Sequence, residues 1–129
     1  MASDGKGGDR RLRPFERLRR SNDFLRARKL GASAADGLLV VYAVPNGLDH
    51  SRMGPSVGRK VGHAVARNRA KRLIREAFRQ SKEELPAGYD FMVVVRPPGE
   101  LSFESVRRAL VELARRAVKK LERRDGSTG

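Results

Sequence analysis

The chain has 129 residues, 39% of them hydrophobic, which suffices for one domain with one modest core. Its 29 Lys+Arg against 15 Asp+Glu leave a formal net charge of +14, which points to a polyanionic partner, either nucleic acid or an anionic membrane surface. The absence of cysteine excludes a disulfide framework, a thiolate nucleophile and a cysteine-based zinc site, and no apolar run reaches the roughly 18 residues of a membrane span.

Residues 1–14 are polar, with Gly5, Gly7 and Gly8 among charges, and read as a disordered arm without the apolar segment of a secretory signal. A single folded domain is expected over residues 15–122, followed by a disordered polar tail over 123–129. The first expectation is a cytoplasmic nucleic-acid binder.

SNDFLRARKL, residues 21–30, reads as a short helix capped by Ser21 and stopped by Gly31, with Asp23 in the favourable first turn. Residues 28–34 are ambiguous and could run extended after it. LLVVYAV, residues 38–44, is β-branched and almost continuously apolar, as in a central strand, and Pro45-Asn46-Gly47 closes it. A second extended piece is expected from about Arg52 to Arg59, where Pro55 argues against a regular interior strand.

The next helix is expected from Ala64 to about Glu84, with Pro86 and Gly88 as its stop. Helical spacing puts Ala66, Ala70, Leu73, Ile74, Ala77 and Phe78 on one apolar face and Lys71, Arg72, Arg75 and Arg79 opposite. Glu76 is the only acid before Glu83, so the alternating i,i+4 pairs of an ordinary surface helix are missing. YDFMVVV, residues 89–95, is a buried strand ended by Arg96-Pro97-Pro98-Gly99. Ser102 is placed to cap a last helix whose Phe103, Val106, Leu110, Leu113, Ala114, Ala117, Val118 and Leu121 form a core stripe. Strands and helices in mixed order indicate a small α+β sandwich.

The acids are scattered, which does not suit a metal nuclease, and neither His50 nor His63 has a partner at metal-ligand spacing. Both read as loop or surface histidines. Gly58-Arg59-Lys60-Val61-Gly62 does not match the phosphate-loop pattern. A charge run is most often a solvated face. Here, however, Arg59 and Lys60 lie just upstream, Gly62 allows a sharp turn, and a helix N-terminus itself attracts phosphate. Asn68, between two arginines, adds a neutral donor and acceptor for a sugar or base edge.

VGRKVGHAVARNRAKRLIREAFR, residues 57–79, resembles the signature of the bacterial ribonuclease P protein component. Arg67, Asn68, Arg69, Lys71, Arg72 and Arg75 match it position by position, and LRRSNDF, LLVVYAV and GYDFMVVVRP extend the likeness over residues 14–122. The resemblance implies a two-layer sandwich of a mixed sheet and three helices with a left-handed βαβ crossover, shared with one domain of a small-subunit ribosomal protein. It also implies that Arg59, Lys60 and the matched signature residues bind a large catalytic RNA, the ribonuclease P RNA. That RNA, with its Mg²⁺, removes the 5′ leader of precursor tRNA, and the protein alone is inactive. The leader would lie in a separate cleft at Phe24, Arg28, Val40 and Tyr42; Arg28 stands where a second aromatic is common. No membrane or small-molecule partner is implied. The competing expectation is a structural, ribosomal-type RNA-binding protein with no processing role. A DNA-binding helix-turn-helix is disfavoured because strands separate the helices.

Overall fold

A computed structural model of the protein describes residues 16–18, 20–97 and 101–128, with side chains through Arg124. The arm predicted over residues 1–14 lies outside them. The elements run α1 (Ser21–Leu30), β1 (Ala32–Ala35), β2 (Leu39–Pro45), β3 (Arg52–Ser56), α2 (Ala64–Ser81), β4 (Tyr89–Val95) and α3 (Phe103–Thr128). Short 3₁₀ turns at Arg59–Val61 and Lys82–Glu84 flank α2.

The four strands form one mixed sheet in the order β1-β2-β4-β3. β2 pairs antiparallel with β1 and β4, whereas β3 and β4 are parallel, so β3–α2–β4 is a βαβ crossover. Strand alternation divides the side chains between two faces. Leu39, Val41 and Ala43 of β2 and Phe91, Val93 and Val95 of β4 join Ile74, Phe78, Leu110 and Leu113 in the main core, beneath α2 and α3. Val44 and Met92 point the other way and meet Ala27 of α1, with Phe24, Tyr42 and Val94 packed partly against them. The main body is therefore a two-layer α+β sandwich, with α1 covering part of the second sheet face.

Pro55 is accommodated because β3 is an edge strand, where a missing N–H removes little of the ladder. Among the described residues, beyond it lies only an isolated bridge from Arg17 to Met53, with Leu18 N donating to Met53 O at 3.0 Å. Asp90, a buried carboxylate on the α1 side, accepts two bonds from Arg52 at 2.8 and 2.6 Å and a third from Asn46 Nδ2 at 3.0 Å. Three donors offset the desolvation of its charge.

Several local expectations change. Arg20, not Ser21, occupies the N-cap position of α1, and no side chain caps it. The Arg20 carbonyl closes the first turn by accepting from Asp23 N and Phe24 N, which puts Ser21 inside the helix. The ambiguous stretch after α1 becomes strand β1. Ser102 does cap α3, its Oγ accepting from Ser105 N at 3.2 Å. That helix also runs past Glu122, where the sequence suggests a polar tail; Arg124 Nη2 donates to Leu30 O at 2.9 Å and holds this end to α1.

Candidate nucleic-acid interface

The basic surface begins at the turn before α2. Arg59 and Lys60 are exposed on the 3₁₀ turn, which ends as Gly62 N donates to Arg59 O at 3.2 Å. Gly62 has φ +154°, outside the range an L side chain readily adopts, and a Cβ there would also lie 2.9 Å from Ala66 Cβ. This turn delivers the chain into α2 with no acid in the first turn and no side-chain cap. The first N–H groups of α2 are thus left facing outward beside Arg59 and Lys60, as an anion would require.

Within α2 the signature residues divide by helix geometry. Positions two apart lie about 200° apart around the axis, so Arg67 and Arg69 are on opposite flanks. Arg67, Lys71 and Arg75, at i, i+4 and i+8, form a half-buried row on one flank. Arg69, on the other, is exposed and lines a groove of about 540 Å³ with Leu73, Leu101, Ser102 and Ser105. Asn68 and Arg72 are exposed along the crest between them. Ala66, predicted on the apolar face, is exposed, and burial begins one turn later at Ala70.

None of these cations has an ion pair or hydrogen bond from its side chain to a described residue. Arg67 Nε is buried without a partner. Burial pushes the Arg75 guanidinium below its usual value, and the like charge of Arg17 pushes it the same way. Arg79 differs: its guanidinium is clasped by Glu76, which removes it from the free cations with which its helical position groups it. The α2 surface therefore carries unneutralised charge that an anion would relieve.

On the opposite sheet face, Val40 and Tyr42 are half-buried neighbours on β2. The register places Tyr42 between Ser33 and Met92, and Val40 between Ala35 and Val94. Phe24 of α1 is half-buried above Gly54, and Arg28, one turn on, is exposed. On this face Phe24, Tyr42 and Val94 pack partly against Ala27, Val44 and Met92, and Val40 lies beside Val94 by register. Sequence reasoning missed Ser33, Met92 and Val94 on this face, because only the strand register brings them beside Val40 and Tyr42. These residues and α2 lie on opposite sides of the sheet.

Among the described residues no three His, Cys, Asp or Glu side chains are grouped as a metal site would require. His50 Nδ1 instead lies 2.9 Å from Asp49 Oδ1 in an exposed loop, and His63 occupies the N-cap position of α2 without a capping bond.

The family model described as ribonuclease P matches residues 12–118. The ribonuclease P protein component of Pelotomaculum thermopropionicum is 38% identical over 107 residues, covering 82% of this chain and 96% of its own. That of Thermotoga petrophila is 46% identical over 91 residues, covering 70% and 78%. Among solved structures, the ribonuclease P protein of Thermotoga maritima superposes with a TM-score of 0.71 at 40% identity, covering 78% of this chain and 96% of that one. The Staphylococcus aureus protein gives the same TM-score at 36% identity, covering 79% and 94%. A match this long, with the basic signature placed on the crossover helix, shows that the chain belongs to the bacterial ribonuclease P protein family.

Proposed function

We infer that this chain is the protein subunit of a ribonuclease P ribonucleoprotein, which removes the 5′ leader of precursor tRNA by endonucleolytic cleavage. The observation that carries this reading is the unpaired basic surface of α2, on which Arg59, Lys60, Arg67, Asn68, Arg69, Lys71, Arg72 and Arg75 lack any acidic partner among the described residues. Such a surface suits the ribonuclease P RNA, whose phosphates would supply the missing anions. Family membership disfavours a ribosomal-type role without processing.

The finer reading assigns hydrolysis to the RNA. The described carboxylates and histidines do not fit a protein-held Mg²⁺, so that ion is assigned to the RNA and substrate. The cleft at Phe24, Arg28, Val40 and Tyr42 is assigned to the single-stranded leader, since aromatic rings accept any base by stacking and Arg28 can stack through its guanidinium. No helix among the described residues is long and apolar enough to cross a membrane, and a cytoplasmic location fits a tRNA substrate.

The test is reconstitution. Protein freed of RNA should not cleave precursor tRNA, and addition of the cognate RNA with Mg²⁺ should give accurate 5′ cleavage. Mg²⁺-dependent cleavage by rigorously RNA-free protein would overturn the assignment of catalysis to the RNA.

A further inference from the structure

We propose that the outer face of α3 is a second phosphate-binding surface, which takes the backbone of a segment of the RNA subunit distinct from the one held by α2. The inference rests on the reading that an RNA subunit is the partner. Val106, Leu110, Leu113, Ala117 and Leu121 are buried beneath α3, which fixes the direction of its other face. Arg108, Arg115, Arg116, Lys119 and Arg123 project there, all exposed, and Glu112 and Glu122 are the only acids between positions 108 and 123. Arg116 is 3.7 Å from Glu112, whereas Arg108, Lys119 and Arg123 have no ion pair or hydrogen bond with a described residue. A face kept only for solubility has no need of so uneven a sign.

The spacing suits a nucleic-acid strand. At about 1.5 Å per residue, Arg108 to Arg123 spans roughly 22 Å and carries five cations, on average about 5 to 6 Å apart along the axis. A duplex strand offers a phosphate charge about every 3.4 Å along its axis. The surface is also held in shape. Arg107 Nη1 donates to Glu84 Oε2 and Arg115 Nε to the Glu84 carbonyl, both at 3.1 Å, tying α3 to the turn after α2. Between them runs a groove of about 650 Å³, with Pro86, Val111 and Val118 among its walls and Arg108, Arg115 and Lys119 along it. A surface already ordered loses less entropy on binding than flexible lysines on a loop. Because α3 lies across the sheet from the cleft, RNA bound on it would leave that cleft open to substrate.

The test uses full-length protein and its RNA subunit. Arg108→Gln, Arg116→Gln and Lys119→Gln are combined; Arg115 is kept because it anchors Glu84. The slope of log affinity against log salt should fall by roughly 2 to 3, at about 0.7 to 0.9 per lost contact. The same three positions changed to Lys, or retained as Lys, should keep the slope. A charge-matched control at Arg20, Lys29 and Arg96 should change it much less. Since the chain has no cysteine, a hydroxyl-radical reagent on Glu112→Cys can be the only label. It should cut an RNA segment different from the one cut by a reagent on Asn68→Cys. An unchanged slope with no cutting from position 112, while the Arg67→Ala/Arg69→Ala protein does lose slope, overturns this inference alone. If neither variant loses slope, the RNA-binding reading falls with it.

Discussion

Phe24 rests on the bare backbone of Gly54: a Cβ at position 54 would intrude on the ring at Cζ and Cε1 and lie 2.8 Å from Leu18 Cβ. The Phe24 ring can therefore lie against β3 as it does because residue 54 has no side chain. This contact sets the height of Phe24 over the sheet face that carries Val40 and Tyr42. Gly54→Ala has an ordinary φ to adopt, so its effect is steric alone. It should cost about 1 to 3 kcal/mol of stability, the usual range for overpacking, and push Phe24 away from the sheet. Precursor tRNA affinity should fall more than affinity for the RNA subunit. A crystal structure or paired binding curves showing Phe24 and leader binding unmoved would refute this.

The second prediction follows from the opposite flanks of Arg67 and Arg69. Two cations about 200° apart on a helix cannot share one phosphate, so their contributions should be separable. Arg67→Ala and Arg69→Ala should each lower the salt slope of assembly by roughly 0.7 to 0.9, and the double variant by the sum. Arg67 has a further signature. Its buried, unpartnered Nε carries a desolvation cost in the free protein, so truncation should leave stability within about 0.5 kcal/mol or raise it. A large loss of stability in Arg67→Ala would mean that its role is structural.

Asp90 gives a prediction about stability rather than RNA. Its carboxylate joins β4 to Arg52 of β3 and to Asn46, and Arg52 is also 3.8 Å from Asp23 in the first turn of α1. Asp90→Ala would leave the Arg52 guanidinium, only a quarter exposed, without its main partner. The loss should be about 3 kcal/mol, near the low end for breaking a buried pair because water still reaches Arg52. Urea denaturation measures it directly; a change under about 1 kcal/mol would show the pair to be dispensable.

Much of this arrangement was legible in the sequence. LLVVYAV and YDFMVVV announce themselves by unbroken apolarity, and the α3 stripe by its helical period. β1 does not, because Ala32, Ser33, Ala34 and Ala35 lack both bulk and pattern, and the strand exists through pairing with β2. The signature names the basic residues, but only the turn at Gly62 and the packing of α2 reveal which are half-buried and which lie on the crest. Glu76 sat in plain view as the one acid near the signature, yet its choice of Arg79 over Lys71 or Arg72 depends on side-chain geometry. The α1 side of the sheet was least legible, since Val94 and Ser33 reach Val40 and Tyr42 only through strand register, and Gly54 reaches Phe24 only through the docking of α1.

The last prediction concerns Tyr42, the side chain that most cleanly separates the two surfaces. It lies on the α1 side of the sheet with Val40, half-buried beside a small cluster of Ala27, Val44 and Met92, and outside the main core that holds Val41. If the leader runs along this cleft, Tyr42→Ala removes a stacking platform for one base and touches no contact on α2. Precursor tRNA binding by the reconstituted complex should weaken by up to roughly 1 to 3 kcal/mol, the range for a base–aromatic stack. Mature tRNA, which has no leader, should bind almost as before, as should the RNA subunit. Because Tyr42 is only half-buried, its truncation should cost less than the roughly 3 to 5 kcal/mol of a fully buried aromatic, so the free protein should still melt cooperatively. Tyr42→Phe keeps the ring and should retain most of the leader affinity, which separates stacking from a bond made by the hydroxyl. Equal losses for precursor and mature tRNA, or a collapsed melt, would place Tyr42 in the structural core and take the leader out of this cleft.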